Sequence, residues 1–173
     1  MGDDSTKFSK LTPGTTAGDT AYLDIETNWD RQITVIGIHH EVRGTVQLVR
    51  PHITREGLLS ALEGIGRIVT YGGATFDLPC IHRALGVDLK LRYMHLDLQY
   101  PCRKKNLKGG LKRVEVLLGI HRDSEGMTGL DALRLWQEYE AGSQEALEAL
   151  LRYNRDDIEN LPIIERKVAA HTP

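Results

Sequence analysis

The sequence predicts an α/β domain in which a mixed β-sheet is flanked by α-helices. Three observations carry this. Short β-branched and aliphatic runs follow one another closely between Ala21 and Val49, strand and helix patterns alternate from Thr54 to Leu98, and the last third of the chain is helical.

The runs AYLDIE, ITVIGIH and TVQLV are separated by polar turns too short for crossovers, so they predict three sequential antiparallel strands. Thr54 can cap a helix over TREGLLSALEG, whose leucines and Ile65 keep helical spacing. A strand, RIVTYG, and a helix, FDLPCIHRALG, follow, the helix with Pro79 in its first turn and Gly86 near its end. YMHLDL predicts a further strand, and KRVEVLLG a short helix beyond the basic segment. Thr128 and Asp131 fit a capping box at the start of GLDALRLWQEYEAG, and Ser143 can cap the long segment that ends near Ala170. Pro162 is expected to kink or interrupt that segment, because it removes a donor and crowds the preceding turn. Residues 1–20 are polar and without period, so the expected organisation is a flexible arm over 1–20 and one domain over 21–173.

Composition narrows the function classes. A chain of 173 residues with 40% hydrophobic and 27% charged side chains is an ordinary globular protein, not a disordered or fibrous one. It contains no apolar run of the roughly 18–20 residues that span a bilayer, and its first residues lack the apolar core of a secretory signal, so no membrane partner is expected. Two cysteines, Cys80 and Cys102, cannot build a disulfide framework, which points to a reducing, cytoplasmic compartment. The formal net charge of −2 hides an uneven distribution: RKKNLKGGLKR, from Arg103 to Arg113, holds six basic residues and no acid.

Three acidic motifs carry chemistry. Asp24 and Glu26 stand at i and i+2 of a predicted strand, so both carboxylates project from one face, where a hard cation such as Mg²⁺ or Mn²⁺ would offset their repulsion. Two solvated acids at a strand end would give the same triplet. Tyr153 and Asp157 stand at i and i+4 of a predicted helix and address one point, while Asp156 is expected to face solvent. A core aromatic beside a surface acid would look alike. Phe76-Asp77 opens a helix just after a strand, where an Asp also complements the helix dipole. Each motif alone is ambiguous, and the ordered set is far more specific.

That set resembles the DEDD superfamily of 3′→5′ exonucleases, in its tyrosine subgroup, from about Ala21 to Val168. The subgroup includes the proofreading domains of family B DNA polymerases and stand-alone bacterial and archaeal ribonuclease H-like proteins. The family places either Tyr four residues or His five residues before its last Asp, and here position 153 is Tyr and position 152 is Arg. One departure is that Gly72 stands where the second motif usually carries Asn, four residues before Phe76. The resemblance implies a ribonuclease H-like fold and two-metal hydrolysis of phosphodiester bonds from the 3′ end of single-stranded nucleic acid. It implies that Asp24 bridges two Mg²⁺ or Mn²⁺ ions, that Glu26 and Asp157 complete the first site, that Asp77 holds the second through water, and that Tyr153 orients the attacking water. A phenol of ordinary pKa about 10 suits positioning better than proton abstraction.

The substrate side rests on charge and stacking. An acid-built site repels a polyanion, so Arg103, Lys104, Lys105 and Lys108 are expected to hold phosphates, with Lys112 and Arg113 in the same run, and Trp29 is the candidate for stacking a terminal base. Asp97 reads as a helix cap or an outer acid, His95 as structural, and His39-His40 lacks the further ligands of a zinc site. The expected activity is a 3′→5′ exonuclease on single-stranded DNA or RNA, DNA slightly favoured. The alternatives are an RNA-directed or structure-specific endonuclease of the same fold and a silent nucleic-acid-binding module.

Overall fold

A computed structural model describes residues 18–170 of the chain. The expected arm therefore lies outside the described residues up to 17, while Asp19 and Thr20 already belong to the first strand. The strands are β1 (Asp19–Thr27), β2 (Ile33–His40), β3 (Gly44–Val49), β4 (Ile65–Thr70) and β5 (Met94–Asp97). The helices are α1 (Arg55–Ala61), α2 (Asp77–Leu85), α3 (Leu89–Arg92), α4 (Gln99–Lys104), α5 (Leu111–Leu117), α6 (Gly129–Glu140) and α7 (Gln144–Ala170).

The sheet runs β3-β2-β1-β4-β5. β1 to β3 form the antiparallel meander, and β4 and β5 add on parallel to β1 through helical crossovers. The β1–β2 turn is set locally, by Asn28, whose side-chain oxygen accepts from the backbone N–H of Asp30 at 3.1 Å and Gln32 at 2.9 Å. Because side chains alternate, β1 sends Leu23 and Ile25 into a core with Leu58 of α1 and Ile81 of α2. Its other face sends Tyr22 toward Val114, Leu161 and Ile164, and next to it Val35 of β2 packs on Trp136, Leu147, Leu150 and Tyr153. Asp24 and Glu26 share the face that α7 covers.

Local signals hold where the chain decides locally. Thr54 accepts from the Gly57 N–H, Thr128 and Asp131 form the capping box, and Ser143 accepts from the Ala146 N–H. One expectation needs correction, and two short helices carry no sequence signal. α7 is not interrupted at Pro162, because Leu161 and Ile164, both fully buried, fix the helix against the sheet on either side of it. The basic segment begins within helix α4, and the four-residue α3 is nucleated by Asp88, which accepts from the N–H groups of Lys90 and Leu91.

Candidate active site

β1 carries Asp24 and Glu26, and α7 crosses that face so that Asp157 meets them: ligand oxygens of all three lie within 4.8 Å of one another. Among the described residues this is the one group of carboxylate, imidazole and thiol side chains with such spacing. The close crossing has a sequence cause. Gly37 pairs with Asp24 in the β1–β2 register, and a Cβ at position 37 would sit 2.2 Å from the Asn154 Oδ1 of α7. With glycine there, Asn154 lies over β2, donates to Asp24 Oδ2 at 3.1 Å and accepts from Gln47 Nε2 at 3.0 Å.

Asp77 opens α2 just past the C-terminal end of β4 and is buried. It stands outside the trio but near enough that the carboxyls repel one another's charge. Burial first, then the carboxylates of Asp97 and Asp157, push the Asp77 carboxyl up to about 7. Burial and then the Asp157 carboxylate push Glu26 up to about 8. Burial, with Asp77, Asp157 and Glu26 behind it, holds Asp24 well above the usual carboxylate range. Asp97 fixes the approach to Asp77. It accepts from the backbone N–H of Gly72 at 2.7 Å, of Ala74 at 3.1 Å and of Gln99 at 3.0 Å, so it ties the start of α4 to the β4–α2 loop. Gly72 adopts φ +78°, a left-handed value that glycine takes without strain, and Gly73 passes so close that a Cβ would lie 2.7 Å from Asp77 Oδ2.

Cations answer part of this charge. Lys112 Nζ donates to Asp157 Oδ1 at 2.8 Å and Oδ2 at 2.6 Å, and lies 4.2 Å from the centre of the Tyr153 ring. Burial alone would lower the Lys112 pKa, but Asp157 outweighs it and holds the ammonium above its ordinary range. Arg122 approaches Asp157 Oδ1 at 2.6 Å and grips Glu115 with bonds of 2.7 and 2.8 Å, while Asn160 donates to the same Glu115 at 2.9 Å. Tyr153 is buried in the α6–α7 core, and burial, then the Asp157 carboxylate, push its phenol up to about 12. Asp156 does not face open solvent: the loop residue Ser124 donates to it through both its backbone N–H and its hydroxyl.

The donor set fits a hard divalent cation. Three carboxylates converge, and Glu26 Oε1 is buried with no hydrogen-bond partner, an unsatisfied acceptor that an ion on this trio would satisfy. Of the expected substrate contacts, Arg103, Lys104 and Lys108 are exposed and Lys105 is half-buried, all following β5 at the same end of the sheet. Trp29 is 56% exposed in the turn after β1. His95 bonds Thr70, His39 bonds Thr45, and His40 bonds the Ala61 carbonyl, so each imidazole has a structural partner. Cys80 and Cys102 are free and buried.

Arg122, Glu115, Asn154 and Asn160 were not legible as site residues. The two asparagines carried a signal, since both fall on the buried stripe of α7 that also holds Tyr153, Asp157 and Leu161, and a polar group there needs a partner. Arg122 carried none, because its partners Glu115 and Asp157 come from separate elements.

No curated protein matches the chain. Among solved structures it is similar to the family B DNA polymerase from the hyperthermophilic archaeon Pyrobaculum calidifontis, with 18% identity and a TM-score of 0.68, covering 88% of this chain and 24% of the polymerase. The chain thus spans about a quarter of that protein. A second similarity is to the EXD2 exonuclease domain soaked in Mn and GMP, at 17% identity and a TM-score of 0.39, covering 88% of this chain and 80% of that one. The family model of the RNase_H superfamily matches residues 21–169, from the first strand of the sheet to the end of α7. With that match running through nearly every described residue, the chain belongs to the RNase_H superfamily.

Proposed function

We propose that this domain is a metal-dependent 3′→5′ exonuclease on single-stranded nucleic acid, DNA ahead of RNA. The observation that carries the reading is the convergence of Asp24, Glu26 and Asp157 around the unpartnered, buried Glu26 Oε1. Membership of the RNase_H superfamily supports it. In this reading Asp24, Glu26 and Asp157 hold one Mg²⁺ or Mn²⁺, and Asp77, outside the trio, serves a second. Bound there, divalent ions supply Lewis-acid stabilisation of phosphoryl charge and a nucleophile at neutral pH.

The chain's own residues do the rest. Tyr153, with its phenol pushed up to about 12, stays protonated and donates a hydrogen bond, so it orients a water rather than taking its proton. Asn154 fixes the Asp24 carboxylate from the far side. Lys112, about one-third exposed on its side chain, presents positive charge where the acids would repel a phosphate. Arg103, Lys104, Lys105 and Lys108 extend that field beyond β5, and Trp29 offers a face for a terminal base. Free, buried thiols agree with a reducing compartment, and no helix among the described residues is long and apolar enough to cross a membrane.

One observation favours a silent binding module instead: Lys112 and Arg122 already sit on Asp157, so the cluster brings part of its own counter-charge. The two readings separate on 5′-labelled linear and circular single strands, as DNA and RNA, with Mn²⁺ or EDTA. A ladder shortening from the 3′ end, with the circle intact, is the expected result. A cut circle would identify an endonuclease, and binding without cutting would identify the module.

A further inference from the structure

Two elements lead from the acids to the opposite face of the sheet: the turn that follows β1 beyond Glu26, and α2, which opens at Asp77 and ends at Leu85. Arg50 follows Val49 directly, and Asp30 and Arg31 form the turn between β1 and β2. Here a groove of about 740 Å³ opens, bordered by Arg31, Arg50 and Arg83 over a floor that includes Ile33 and Leu85, with Asp30 as its one acid.

The three guanidinium groups are not consumed by the fold. Among the described residues none of them makes an ion pair. Arg50 donates to the Gln32 side-chain oxygen at 2.6 Å and Arg83 to the Cys80 thiol at 3.3 Å, both uncharged. Arg31 and Arg83 are exposed. Planar, permanently charged forks in an open groove match the geometry of phosphodiester oxygens. The segment Arg103–Lys108 follows β5 at the opposite edge of the sheet, so the two basic regions flank the acids on either side.

We propose that this arginine groove binds the sugar–phosphate backbone of a single-stranded nucleic acid, a few nucleotides away from the bond that is cut. The proposal rests on the hydrolytic reading for the position of that bond, and on the groove's own charge for the ligand class. α6 and α7 cover the acids' face of β2, so a strand would leave the acids past the β1–β2 turn and exchange repulsion for three cations, a directional hold that the acids alone cannot supply.

The test is fluorescence anisotropy of a 5′-labelled single strand in EDTA, read as the slope of log Kd against log salt. The variant Arg31→Asn/Arg83→Gln removes two cations, with Asn tolerating the φ of +58° at position 31. Two lost phosphate contacts should reduce the slope by about 1.4 and weaken binding about tenfold at moderate salt. The control Arg152→Gln/Arg155→Gln removes the same charge from exposed positions of α7 and should keep the wild-type slope. If the double variant melts below wild type, Arg83→Gln alone carries the test with half the change. A wild-type slope in the groove variants, or an equal loss in the control, overturns the proposal. Digestion of the same strand by wild type in Mn²⁺ keeps the two readings apart. No cutting with a groove-dependent slope overturns the hydrolytic reading and leaves the groove, and cutting with an unchanged slope does the reverse.

Discussion

At residue scale the carboxyls of the site oppose folding once they ionise. Glu26 titrates at about 8 and Asp77 at about 7 in the folded chain, against roughly 4 in an unfolded one. Between those values the folded state binds more protons, so the contribution of these groups to stability falls as pH rises through that window. In EDTA, Glu26→Gln should therefore melt above wild type at pH of about 8 and close to it at about 5, and Mn²⁺ should raise the wild-type melting temperature more at the higher pH. A gap that shrinks as pH rises would contradict the assignment of Glu26. Gly37→Ala tests the crossing of α7 over β2. Its Cβ would collide with the Asn154 amide at 2.2 Å, and the resulting shift should cost about 1–3 kcal/mol in denaturant unfolding and weaken Mn²⁺ binding by calorimetry. Strand and helix periods made Asp24 with Glu26, and Tyr153 with Asp157, legible as same-face pairs, while the joining of the two pairs rested on the family resemblance. The contacts of Asp156 and Arg122 were not, since both depend on where the loop around Ser124 lands.

At the scale of elements, the buried network ties α5, the loop to α6 and α7 into one unit behind the acids. Glu115 is fully buried, Arg122 is 8% exposed, and Asn160 joins them. Glu115→Ala would leave Arg122 with Asp157 as its remaining ion-pair partner and take the Glu115 acceptor from Asn160, and an unfolding loss of about 1–3 kcal/mol is expected in denaturant titration. A loss below about 1 kcal/mol would show that the network does not hold these elements together. Sequence periodicity found α6 and α7 with their caps, because Thr128, Asp131 and Ser143 act within one turn. It missed α3 and α4, which are too short for a periodic signal and depend on the Asp88 and Asp97 side chains to begin. It overstated Pro162, since a local rule for helix breaking gives way to the packing of a long helix on a sheet.

For the whole molecule, the order β3-β2-β1-β4-β5 is what makes the site. β1, β4 and β5 run parallel, so their C-terminal ends share one edge and bring β1's acids, Asp77 after β4 and Asp97 of β5 to the same end of the sheet. The order of the strands and longer helices was readable from the chain, as was the antiparallel meander. The parallel pairing of β4 with β1 was not, because it depends on a helical crossover that periodicity does not place. A net charge of −2 likewise conceals an acidic centre with cations along both sides. On the proposed function, Asp24, Glu26 and Asp157 together bind the ion that drives phosphodiester hydrolysis. The most direct measurement is the rate of nucleotide release from a labelled single strand as Mn²⁺ is titrated, for wild type and for Asp24→Ala shown by circular dichroism to be folded. The expected result is a saturable rate in wild type, none in EDTA, and a fall of about 10³-fold or more in Asp24→Ala. A rate independent of Mn²⁺, or one that survives Asp24→Ala, would contradict it.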